Sequence, residues 1–139
     1  MNLSQNFTLE ELTRTSTGLP NMPGPMELQN LQMLVNNVLQ PLRNFCGRPI
    51  RINSGYRSVM VNQAVHGSPI SQHCFGMAAD IDSENNAHLF NLIRHNLPFD
   101  QLIWESGNDI QPDWVHVSFN AAGNRGEVLR MLNGNYMHI

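Results

Sequence analysis

The chain has 139 residues, a length suited to one domain that buries a core of its own. Its net charge is −3 and it carries no basic run, so nucleic-acid binding has no electrostatic footprint. No apolar run reaches the length of a membrane span, and two cysteines, Cys46 and Cys74, are too few for a disulfide framework; free thiols are expected.

In chain order, Thr8-Leu9-Glu10-Glu11 has the form of a capping box and starts a short helix. Residues 17–25, rich in Gly and Pro, read as a loop. Leu28, Leu31, Leu34, Val35, Val38, Leu42 and Phe45 then form one apolar helical stripe. Pro41 falls inside that stripe and is expected to kink or break it, and Gly47 is placed to stop it. Residues 49–54 read as a strand, Gly55-Tyr56-Arg57-Ser58 as a turn, and a short helix follows to about Val65. After the break at Gly67-Ser68-Pro69, residues 78–82 alternate as a strand, with Ala78, Asp80 and Asp82 on one face and Ala79 and Ile81 on the other.

Residues 86–96 fit a helix. Residues 100–105 and 114–119 read as strands joined by a polar loop, and 125–132 as a last short helix. Helices come first and strands later, which favours a single α+β domain spanning 1–139, with a small antiparallel sheet packed against helices. The N-terminus shows neither the basic region nor the apolar stretch of a secretory signal, so synthesis in the cytoplasm is expected, as is a monomer.

Two segments carry the chemistry. Ser71-Gln72-His73-Cys74-Phe75-Gly76-Met77-Ala78-Ala79-Asp80 and Asp113-Trp114-Val115-His116 together offer two imidazoles and a carboxylate to one metal. Asp113, three residues before His116, is left over as a potential base. Three protein ligands with a fourth position open suit a catalytic zinc. His73 and Asp80 lie seven residues apart, about 23 Å along a strand or about 10 Å along a helix. Both separations are too long for ligands of one ion, so the chain must fold back, with Gly76 the natural pivot. Alternation puts Trp114, His116 and Ser118 on one face of their strand and Val115, Val117 and Phe119 on the core side. A strand histidine is ordinarily just a half-buried polar residue, and His-x6-Asp is not diagnostic alone, so both readings stand on spacing.

The pattern Ser71-x-His73-x-x-Gly76-x-Ala78-x-Asp80 followed by Asp113-x-x-His116 resembles the M15 family of zinc D-Ala-D-Ala carboxypeptidases and related cell-wall peptidases. These share a core with the hedgehog signalling domain and the LAS metallopeptidases. Ser54-Gly55-Tyr56-Arg57-Ser58 with Asn62 is similar to that family's arginine-bearing turn. Phe7-Thr8-Leu9-Glu10-Glu11-Leu12 and Val38-Leu39-Gln40-Pro41-Leu42-Arg43 resemble small, often phage-borne, M15 domains.

The resemblance implies a hedgehog/DD-peptidase-like fold and a Zn2+ cofactor held by His73, Asp80 and His116. It implies Asp113 as general base, Arg57 against the scissile carbonyl, and Ser71 as a substrate contact. It implies a peptidoglycan stem peptide as substrate, cut by a D,D-carboxypeptidase or an L-Ala-D-Glu-type endopeptidase that reaches the wall on release, in the manner of a phage lysin. A non-catalytic metal-holding binding module, or a phage structural component on the same fold, is the rival from another class. Two positions depart from the pattern. His66 stands before Gly67 where Gly-Gly is expected, and Gln111 stands where some carboxypeptidases carry a histidine. Glu105 reads equally as an acceptor behind the metal or as a solvated strand end. Trp104 and Trp114 are core residues by default, Cys74 a small buried hydrophobe, and His138 part of a frayed terminus.

Overall fold

The computed structural model describes all of residues 1–139. Helix α1 (Leu9–Thr13) begins at the capping box: the Thr8 hydroxyl accepts from the Glu11 N–H, and the Glu11 carboxylate accepts from the Thr8 N–H at 3.1 Å. Its single buried residue, Leu12, fixes it against β1 (Arg51–Ser54), where the Tyr56 N–H donates to the Leu12 carbonyl at 2.7 Å. The apolar stripe becomes α2 (Pro25–Leu34), a π-helical turn (Val35–Leu39) and α3 (Gln40–Cys46). Pro41 therefore does not break the helix. The Gln40 N–H reaches back five residues to the Val35 carbonyl, and the wider turn carries the chain through the missing proline N–H. Leu31, Leu34, Val35, Val38 and Leu42 of the stripe are fully buried, while Phe45 at its end is exposed. Gly47, at φ 67°, closes the helix.

Six strands form one sheet in the order β1-β2-β4-β3-β5-β6, where β2 is Ala78–Asp82, β3 Gln101–Glu105, β4 Trp114–Ser118, β5 Glu127–Leu132 and β6 Asn135–His138. The class is α+β as expected, but the sheet is mixed, because β5 runs parallel to β3. One face carries Ile52, Ile81, Leu102, Val115 and Val117 into the core, covered by α3 and α5 (Asn86–Asn96). The opposite face carries Asp80, His116 and Ile103, directly paired across three strands. The short helix α4 (Val59–Ala64) and a 3-10 turn (Gln72–Phe75) lie between β1 and β2. No helix is long and apolar enough to cross a membrane.

Residues 127–132 are a strand, not the expected helix. Glu127-Val-Leu-Arg-Met-Leu consists largely of good helix formers, and local propensity points the wrong way. The deciding signal is Asn133-Gly134, the two-residue hairpin turn. Both take positive φ (52° and 80°), which joins β5 to β6 with Leu132 opposite Asn135. His138 accordingly sits paired with Leu129 in β6 rather than in a frayed tail.

Candidate metal centre

Each candidate ligand is held by local structure that follows from its neighbours. The Ser71 hydroxyl caps the 3-10 turn by accepting from the His73 N–H at 3.2 Å. Gly76 ends that turn at φ 74°, and any Cβ there would collide with the Glu27 carbonyl oxygen of α2. Only glycine fits on both counts, and the chain reverses here to bring His73 back over Asp80. Asp80 and His116 are direct cross-strand partners of β2 and β4. His73 Nε2 lies 3.4 Å from Asp80 Oδ2, His116 Nδ1 lies 3.0 Å from Asp80 Oδ1, and the two rings stand edge to face with centroids 5.2 Å apart. One ligand atom from each residue lies within 4.8 Å of the others.

The electrostatics suit a cation. His73 is almost fully buried, and that burial pushes its imidazole below the ordinary range, so it is neutral at pH 7. Its Nδ1 sits 2.7 Å from the Gly55 carbonyl, an acceptor, which places the proton on Nδ1 and leaves the Nε2 lone pair facing Asp80. Burial alone would raise the Asp80 carboxyl, but the charge and hydrogen bonds of the two imidazoles hold it far below the usual carboxylate range. His116 Nε2 is buried and has no partner in the protein. Two imidazoles and one ionised carboxylate, converging with an orphaned ring nitrogen beside them, fit zinc.

Arg57 leans on this centre. Its Nε donates to Ser54 Oγ and its Nη1 to Asn62 Oδ1, both at 3.0 Å, and its Nη2 lies 3.6 Å from Asp80 Oδ2. Asn62 is buried and also donates to the Ser68 carbonyl. A Cβ on Gly67 would strike the side-chain ends of Asn62 and Arg57, so a larger residue there would displace the pair that positions Arg57. The preceding His66, where a second glycine is expected, sits at φ 58°, the conformation glycine would take without strain.

The centre opens into a cleft of about 730 Å³ lined by Arg57, Ser71, Trp114, Glu105 and residues of β5 and β6. Five of the six residues singled out for the site thus lie together: His73, Asp80, His116, Arg57 and Ser71. Asp113 does not line the cleft. It is exposed one residue before β4, its N–H given to the Glu105 carbonyl at 2.9 Å and its carboxylate without a hydrogen bond or ion pair. Gln111 also lies outside, holding the 106–112 loop to the first turn of α5 through the Ala87 N–H and Asn85. Trp104 packs edge-on against Phe90 on the core face, whereas Trp114 faces the cleft. Both cysteines are free, and burial pushes the Cys74 thiol up, away from thiolate chemistry. A groove of about 780 Å³ elsewhere, along β1 and the start of α5, holds the ion pairs Arg51–Asp82 and Arg48–Glu84 and offers no comparable cluster.

The model of the peptidase M15 family matches residues 5–118, which contain every candidate ligand and Arg57. The chain belongs to the peptidase M15 family. It is also similar to the zinc D-Ala-D-Ala carboxypeptidase of Streptomyces albus G, 36% identical over 78 residues. That stretch is 55% of this chain and 31% of the relative, so less than a third of the relative's length is matched. Within the matched residues, His73, Asp80 and His116 supply a donor set that fits a zinc ion.

Glu105, which spacing alone left undecided, lies in the cleft lining. It is buried in the cleft wall, and burial pushes its carboxyl up to about 7 from an ordinary 4.5. A raised acid destabilises the folded state as pH rises through this window, and the penalty is complete above pH 7. Metal-free Glu105→Gln is therefore expected to exceed the wild type in stability by on the order of 2 kcal/mol at pH 8, with the gap nearly closed at pH 4.5. Denaturant unfolding at the two pH values checks this. A gap of equal size at both would remove the buried carboxyl as its cause.

Proposed function

We propose that this chain is a zinc-dependent peptidase that hydrolyses a peptide bond in peptidoglycan stem peptides. The observation that carries the reading is the convergence of His73, Asp80 and His116 beside the Arg57 guanidinium at the floor of an open cleft. When bound, zinc would supply a Lewis acid and an acidified water at neutral pH. The chain's own residues supply the rest. Arg57, fixed at two nitrogens by Ser54 and Asn62, directs its remaining edge to the centre, where it offsets negative charge developing on the substrate carbonyl oxygen. Asp113 takes a proton from the attacking water and returns it to the leaving amine, the role its place before His116 implies. Its exposed carboxylate makes no hydrogen bond or ion pair that this role would have to break. Glu105 is the second candidate for that proton, favoured by its position already inside the cleft wall.

Two cleavage types fit this site, a D,D-carboxypeptidase and an L-Ala-D-Glu-type endopeptidase. The reading takes the chain as a monomer made in the cytoplasm that meets the wall on release, as a phage lysin does. Incubation with purified muropeptides, with and without a chelator, followed by mass spectrometry, identifies the bond. Chelator-sensitive cleavage within a stem peptide is the expected result. Binding without any cleaved product would favour the non-catalytic module.

Arg57→Ala is expected to lower turnover about 100-fold, corresponding to about 3 kcal/mol of lost charge stabilisation, with zinc content unchanged. A turnover within twofold of wild type would remove Arg57 from the reaction.

A further inference from the structure

The matched residues end at Ser118, yet the cleft does not. Its far wall comes from the crossover and hairpin that follow: Arg125, Leu129, Met131 and Tyr136 all line it. These residues fall in register with the metal centre. One row across the sheet runs Asp80, His116, Ile103, Leu129, and the next runs Trp114, Glu105, Met131, Tyr136. From β4 through β3 and β5 to β6 the floor extends about 14 Å, at about 4.8 Å per strand spacing. An extended peptide covers that distance in about four residues at roughly 3.3 Å each.

The hairpin is anchored rather than appended. The buried Asp100 carboxylate accepts from the Arg125 N–H at 2.8 Å, from Arg125 Nε at 3.1 Å and Nη2 at 2.9 Å, and from Gln72 Nε2 at 2.8 Å. The Glu127 N–H then donates to the Asp100 carbonyl at 2.9 Å. One buried carboxylate thus ties the turn that carries His73 to the base of the hairpin, fixing the two sides of the cleft relative to each other. The charged side chains at the base of the hairpin have partners of their own: Arg125 pairs with Asp100, and the Glu127 carboxylate accepts from Gln101 Nε2 at 2.7 Å. What the wall offers a ligand is the apolar strip of Leu129, Met131 and the Tyr136 ring.

We infer that the β5–β6 hairpin is the substrate-length and side-chain selector of this enzyme. It binds a peptide with about four residues on one side of the scissile bond, the distal ones bearing small or aliphatic uncharged side chains. The inference rests on the peptidase reading for the position of the scissile bond.

The test uses two uncleavable probes, stem-peptide analogues with a methylene-amine in place of the scissile amide. One carries four residues on the hairpin side and the other carries one. Calorimetric titration of the zinc-loaded chain is expected to show 5- to 20-fold weaker binding of the long probe by Tyr136→Ala and Met131→Ser. The short probe should bind all three proteins alike, and zinc content and circular dichroism should be unchanged. Unchanged affinity for the long probe in both variants overturns the inference, as does equal weakening of both probes, or no binding of the long probe by the wild type. A wild type that binds the long probe with this length dependence but cuts no peptide sinks the peptidase reading and leaves the hairpin's role standing. A wild type that cuts stem peptides while the variants bind and cut them equally well does the reverse.

Discussion

Asp80→Ala is expected to abolish zinc binding and hydrolysis together, with zinc affinity at least 100-fold weaker and turnover below detection. Asp80 is the one anion in the centre. It faces His73 at 3.4 Å, His116 at 3.0 Å and Arg57 at 3.6 Å. Without it, the ligand set holds no anion beside a largely buried guanidinium, and a doubly charged cation would sit next to that positive charge with nothing to offset it. The fold should survive, because Ala79 and Ile81 rather than Asp80 face the core from β2. The check is zinc content after dialysis against a competing chelator, with circular dichroism alongside. A folded variant that retains stoichiometric zinc would remove Asp80 from the ligand set.

Asp113→Ala is expected to do the opposite with the metal: zinc stays, and turnover falls by about 10²–10⁴, the range lost with a positioned proton-transfer group. Asp113 is exposed and touches none of the three ligands, so nothing in the centre should loosen. The comparison that gives the result its meaning is Glu105→Gln, assayed in parallel with zinc content. Near-normal turnover in Asp113→Ala together with a large loss in Glu105→Gln would move the proton to Glu105. Loss of zinc in Asp113→Ala would place the residue among the groups that support the metal.

Much of this centre is legible in the sequence, for specific reasons. Strand alternation placed His116 on one face with Val115 and Val117 on the other, and Asp80 on one face of its own strand, because a two-residue period survives almost any twist. Distance arithmetic required a reversal between His73 and Asp80, and Gly76 provides it with a positive φ and no room for a Cβ. The capping box held because both of its hydrogen bonds are local.

What could not be read depended on partners distant in sequence. The segment Glu127–Leu132 is helical by propensity, and it becomes a strand only because β3 offers an open edge and the Asn133-Gly134 turn returns β6 to pair with it. Ionisation was equally hidden: nothing in Trp104-Glu105-Ser106 shows that the carboxylate is buried in a cleft wall. Asp113 shows the limit of motif spacing. Three residues before His116 gives it the wrong strand parity to face the centre, and only the orientation of the strand mouth decides what its side chain can reach.

The central claim is that one zinc, held by His73, Asp80 and His116, is required for hydrolysis of stem peptides. The most direct test strips the chain of metal with a chelator and titrates zinc back, while muropeptide cleavage and protein-bound zinc are followed in the same samples. Activity is expected to return in proportion to bound zinc and to saturate at one ion per chain, while His116→Ala neither binds the ion tightly nor recovers. Cleavage that persists in the metal-free chain, or full recovery by His116→Ala, would contradict it.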